Sequence, residues 1–146
     1  MQTELDDDVD SITALADVVH EETDVAASIS SGSFQTEGML IAPCSMKTVS
    51  GIANGFSNNL LLRTADVTIK EKRTLVILPR EAPMSAIHLK NLLTLAELGV
   101  IVFPPVPAFY HKPEKLEDVI DHIIRRSLRY FGICDESHYK PWQGLN

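Results

Sequence analysis

Three short apolar runs, each closed by proline, alternate along the chain with longer segments whose apolar residues recur at helical spacing. Met39–Ala42 runs into Pro43, Thr74–Leu78 into Pro79, and Val100–Phe103 into Pro104-Pro105. Unbroken apolar runs of this length predict strands buried on both faces. Between and after them the pattern predicts helices over Ser45–Ala53 (broken near Gly55), Asn58–Lys72, Ser85–Leu98 with Gly99 as C-cap, and Pro113–Phe131 ending at Gly132. Upstream, Ser11–His20 reads as a short helix with Ser11 as N-cap and Leu15, Val18 and Val19 on one side; Ser28–Gly38 reads as a loop. This alternation predicts an α/β fold: a doubly wound, mostly parallel, Rossmann-like sheet with helices on both faces.

Composition narrows the class. The 146 residues suffice for one domain with a core, and no apolar run approaches the roughly 18 residues of a membrane span. The net charge of −7 is uneven: residues 1–46 carry ten Asp/Glu and no Lys/Arg, whereas 47–146 carry a net +3. Residues 1–27 are therefore expected to be an acidic, partly ordered segment, and 28–146 a single domain. An acidic chain with no basic stripe interleaved with aromatics excludes nucleic acid as a partner. The polar, acidic start is no signal peptide. Two distant cysteines, Cys44 and Cys134, make neither a disulfide framework nor a zinc motif, which suits a reducing cytoplasm.

Ligands of doubly wound sheets bind beyond the carboxyl ends of the strands. All three predicted strands end there in loops that carry chemistry. The first gives Ser45, Met46, Lys47 and Thr48 at a helix start, where free N–H groups and hydroxyls suit an anion, or where Ser45 simply caps the helix. The second gives Arg80 and Glu81, a phosphate-binding fork beside an acid or base, or else a structural ion pair. The third carries Tyr110, a ligand contact or a packing aromatic. Arg63 and Lys70, seven apart, share a helix face, functional or merely solvated. On the last helix Leu116, Val119, Ile120, Ile123, Ile124, Ser127 and Phe131 form one stripe. Arg125 and Arg129 point away from it. Arg126 falls on its flank, to reach a site or to cover apolar surface. The five histidines show no metal spacing and no close pair, and Cys44 has no histidine partner in sequence, so no metal site is expected.

Together these segments carry a resemblance. APCSMKT (Ala42–Thr48), NNLLLRTADVTIKE (Asn58–Glu71), LPREAPMSAIHLKNLLTLAELG (Leu78–Gly99) and PAFYHKP (Pro107–Pro113) resemble the UbiX-like flavin prenyltransferases in order and spacing. SSGSF (Ser30–Phe34) and WQGL (Trp142–Leu145) are similar to the branch of that family that belongs to phenolic-acid decarboxylase systems. The resemblance implies a flavoprotein fold that transfers a dimethylallyl group from dimethylallyl phosphate to N5 and C6 of reduced FMN, without a metal. The prenylated FMN then serves a UbiD-type decarboxylase. It implies FMN contacts at Ser45, Met46, Lys47, Thr48 and Arg80, and prenyl-phosphate contacts at Tyr110 and Arg126. Arg63, Lys70 and Glu81 become polar groups at the phosphate and reaction centre. It also implies a homo-oligomer, a dodecamer in the family, with active sites shared between subunits.

Family members open with a strand and a Gly/Ser-rich turn that cradles the FMN phosphate, and a second strand follows. Neither is matched here, so the chain is expected to lack the first strands, to expose an apolar edge around Met39–Ala42, and to be unstable or inactive alone. Two other functions compete. A non-catalytic flavin-binding subunit of an aromatic-acid decarboxylase system suits the unmatched strands. A flavin-dependent cysteine decarboxylase of the phosphopantothenoylcysteine type would require an Asn and a Met-Trp pair absent from PCSMKT and PREAPMSAIH.

Overall fold

In the computed structural model, residues 9–133 are described. The predicted features at Cys134 and Trp142–Leu145 lie outside them. The elements run α1 (Val9–Thr13), β1 (Gly38–Cys44), α2 (Met46–Ala53), α3 (Leu60–Lys70), β2 (Thr74–Pro79), α4 (Ala86–Glu97), β3 (Ile101–Val102) and α5 (Leu116–Leu128). A 3-10 turn at Ser28–Ser30 precedes β1, and another at Arg129–Phe131 follows α5. The strands form one parallel sheet, as predicted, in the order β1-β2-β3.

The central strand explains the packing. Leu75 and Ile77 of β2 join a core with Val49 and Ile52 of α2, Leu62 and Ala65 of α3, and Leu92 and Leu95 of α4. Side chains alternate along a strand, so Val76 and Leu78 face the other way, where they are equally buried. The Arg129–Phe131 turn meets β2, bringing the end of α5 against the sheet. β1 is an edge strand, with Met39 and Leu40 half-buried and Ala42 exposed.

Several boundaries differ from the expected ones for identifiable reasons. β1 continues through Pro43 to Cys44, because an edge strand tolerates a residue without an N–H where the ladder slips, between Ile41 and Cys44. β3 pairs over only two residues, although the Phe103 N–H still reaches the Ile77 carbonyl at 2.9 Å. α3 starts at Leu60 because the Asn59 side chain accepts from the Leu62 N–H at 2.8 Å, and it stops before Lys72, whose φ is +58°. α5 starts at Leu116, not Pro113, because the Asp118 carboxylate accepts from the N–H groups of Glu114 and Lys115 at 2.9 and 3.2 Å. Its end tightens into the 3-10 turn before Gly132, at φ +73°.

One expectation is corrected more fundamentally. The helix placed at Ser11–His20 is instead Val9–Thr13, with Ser11 inside it. Leu15, Val18 and Val19 are exposed, so no packed face holds a longer helix. The apolar stripe of α5 is partly open: Leu116, Ile120 and Ile124 are exposed, and only Ser127 of that helix is buried.

Candidate active site

The carboxyl edge of the sheet gathers one group of the candidate residues. The Arg80 N–H donates to the Cys44 carbonyl at 3.1 Å, which ties the end of β2 to the end of β1. Ser45 caps α2: its Oγ accepts from the Thr48 N–H at 3.2 Å and lies 3.1 Å from the Thr48 hydroxyl. Capping and anion binding are compatible, because the remaining N–H groups of the first turn and the Thr48 hydroxyl stay at the edge. Met46 is buried, a core residue at this junction, and Lys47 is exposed. Arg80 and Glu81 are both exposed. They line an open cleft of about 440 Å³ whose other walls are Pro79, Ala82, Met84, Pro104, Pro105 and Val106.

This edge suits a flat, anionic cofactor. Met84, Val106 and the prolines give apolar walls for a ring system, while a hydroxyl-bearing helix start and the Arg80 guanidinium give anion donors. Cys44 is fully buried, and desolvation pushes its thiol up to about 11, which rules out a nucleophilic thiolate at neutral pH.

Arg126 joins the same side. Its guanidinium carbon lies 5.6 Å from the centroid of the Phe103 ring, just past β3, and Tyr130 packs edge-on against that ring at 6.2 Å. Arg125 instead faces Asp121 on its own helix at 3.6 Å. Tyr110 reaches His122, one helical turn before Arg126, with Oη 3.3 Å from Nε2. His122 and His111 stack at 4.3 Å and 11°, a close histidine pair that sequence spacing does not reveal. Among the described residues no three His, Cys, Asp or Glu side chains gather as a metal site would require.

Arg63 and Lys70 belong elsewhere. Arg63 donates to the Ser30 carbonyl at 3.2 Å and pairs with Asp66 at 3.0 Å. Lys70 pairs with Glu71 beside Gly32, close enough that a Cβ on Gly32 would collide with both side chains. Arg73, unremarked in the sequence, grips the same turn by donating to the carbonyls of Gly32 and Phe34 at 2.6 and 2.7 Å. Lys70, Glu71 and Arg73 sit where β2 begins, whereas Arg63 lies in the first turn of α3, about 10 Å further along that helix. Arg80 and Glu81 follow the far end of β2, about 17 Å away for six strand residues. One protomer therefore carries two separated polar groups.

Comparison with known proteins agrees with this architecture. A model of the flavoprotein family matches residues 3–128. A probable UbiX-like flavin prenyltransferase of Escherichia coli O111:H- is 51% identical over 134 residues, covering 92% of this chain and 68% of that protein. A dodecameric, FMN-dependent UbiX-like decarboxylase from Escherichia coli O157:H7 superposes with a TM-score of 0.92 at 47% identity, covering 99% of this chain and 76% of that one. AnUbiX (PadA1), solved with FMN and dimethylallyl pyrophosphate, gives 0.94 at 46% identity, covering 99% and 77%. The chain belongs to the flavoprotein family, and within it to the UbiX-like flavin prenyltransferases.

Proposed function

We propose that this chain is a flavin prenyltransferase: it transfers a dimethylallyl group from dimethylallyl phosphate to reduced FMN, for use by a UbiD-type decarboxylase. The observation that carries this is the carboxyl-edge cleft, where Arg80 and Glu81 stand exposed among apolar walls and the Arg80 N–H ties them to Cys44, just before the capped start of α2. Reduced FMN, when bound, supplies the nucleophilic atoms that accept the prenyl group. Ser45, Met46, Lys47, Thr48 and Arg80 hold it, with the α2 start and Arg80 as its polar contacts. Tyr110 and Arg126 hold the prenyl phosphate, and positive charge there offsets the charge that develops as phosphate departs. Glu81, open to the cleft, takes the proton released as the new ring closes.

Arg63 and Lys70 complete the phosphate site from a neighbouring protomer. Lys70, a strand length from Glu81, is too far to act on it within one chain, and the exposed Phe109, Leu116, Ile120 and Ile124 suit burial against another copy. A homo-oligomer with shared sites satisfies both observations. No helix among the described residues is long and apolar enough to cross a membrane. The buried free thiol of Cys44 supports a reducing, cytoplasmic location.

The test is anaerobic incubation with reduced FMN and dimethylallyl phosphate, followed by mass analysis of the flavin. Prenylated FMN and an equal amount of released phosphate are expected. Stoichiometric FMN binding without product would leave a flavin-binding subunit as the function instead.

A further inference from the structure

We propose that His122 is a positioning residue for the prenyl phosphate: through Nε2 it directs the Tyr110 hydroxyl, with His111 stacked against it as a brace. This rests on Tyr110 contacting the phosphate, as proposed above.

Tyr110 sits in an exposed loop, and a phenolic hydroxyl has a single proton that rotates to suit its surroundings. His122 approaches from α5, with Nε2 3.3 Å from the Tyr110 oxygen. Two arrangements are open to this pair. If Nε2 is bare, the tyrosine proton is spent on the histidine. If Nε2 carries a proton, it donates to the tyrosine oxygen, and the tyrosine proton is left for an anion. A bound phosphate selects the second arrangement, because a hydrogen bond to an ionised oxygen is the stronger one.

The surroundings fix the imidazole. His111 stacks on it at 4.3 Å, nearly parallel, while Tyr110 stands edge-on to both rings. The ring nitrogens of His111 are buried with no hydrogen-bond partner, so its face, not its polar edge, is what it offers. Burial, His111 and Arg126 hold His122 below the ordinary histidine value, which favours a neutral ring with one N–H to place. Asp118 lies on the His111 side, and Arg126 follows His122 by one turn on the same helix face.

The experiment measures the Kd of dimethylallyl phosphate by calorimetry on the whole chain, for His122→Phe, His122→Gln, Tyr110→Phe and the Phe/Phe double variant. Phe keeps the stack but removes the donor, and should weaken binding by about five- to tenfold. Gln supplies an N–H and should bind within about twofold of the parent, which a merely structural role would not produce. In the Tyr110→Phe background, His122→Phe should cost nothing further. Equal losses in both backgrounds, or a Gln variant as weak as Phe, would overturn the positioning role. A Tyr110→Phe protein that binds like the parent would overturn the tyrosine contact as well. Weak binding by Tyr110→Phe with no effect of His122→Phe would overturn the His122 role alone.

Discussion

Replacing Arg126 by alanine should separate catalysis from stability. In the folded chain the Arg126 side chain is exposed and rests over Phe103 at 5.6 Å. An exposed cation–π contact contributes about 0.5–1 kcal/mol, so Arg126→Ala should lower the urea midpoint only slightly. Its proposed bond to the phosphate is charge-assisted, about 1.5–3 kcal/mol, which is a roughly ten- to hundredfold loss of kcat/KM for dimethylallyl phosphate. Arg125→Ala is the control. Its partner Asp121, at 3.6 Å, is on the surface, and such a pair contributes about 0.3–0.5 kcal/mol. Its kcat/KM should stay within about twofold of the parent, since it makes no charge-assisted substrate bond. The assay is anaerobic formation of prenylated FMN, with urea unfolding followed in parallel. Equal kinetic losses for the two variants, or an Arg126→Ala enzyme with unchanged kcat/KM, would refute the assignment of Arg126 to the phosphate.

Other expectations follow from individual contacts. Ser45→Ala removes the α2 cap and should cost about 1 kcal/mol in urea unfolding, with weaker FMN binding by fluorescence titration. In a Cys134→Ser background, Cys44 should resist iodoacetamide at pH 8 until urea unfolds the chain, because its thiol titrates at about 11; rapid labelling of the native protein would contradict its burial. His122, held below the ordinary value by burial, His111 and Arg126, stays neutral in the folded chain at pH values where the unfolded chain is already protonated. Its stabilising effect is complete above roughly pH 6.5, the unfolded value, and is lost as pH falls through the lower folded one. His122→Phe should therefore flatten the fall in urea stability between about pH 7 and 5; an unchanged slope would contradict the depressed value.

Period and punctuation made the fold legible. Proline-closed apolar runs located all three strands, and the residues after them did converge on one edge. The helical wheel separated Arg126, over Phe103, from Arg125, on Asp121. What the sequence hid was governed by distant partners. β3 pairs only with Val76 and Ile77 of β2, and the start of α5 depends on where Asp118 turns its carboxylate. Leu15, Val18 and Val19 had a helical pattern but no surface to pack on. The His111–His122 stack joins a loop to a helix eleven residues later, a spacing with no motif. Lys70 and Glu81 are close in sequence, but β2 lies between them. Only the folded chain therefore reveals that they belong to separate groups.

Mixing two damaged protomers tests the shared prenyl-transfer site most directly. Lys70→Ala breaks the group at the start of β2, and Arg126→Ala breaks the group at the carboxyl edge, so each variant alone should keep at most about a tenth of the parent activity. In oligomers co-expressed from equal amounts of both, about a quarter of the sites would draw each group from an intact donor. Prenyl transfer should then return to about a quarter of the parent rate. A mixed oligomer no more active than either variant alone would contradict a site built from two protomers.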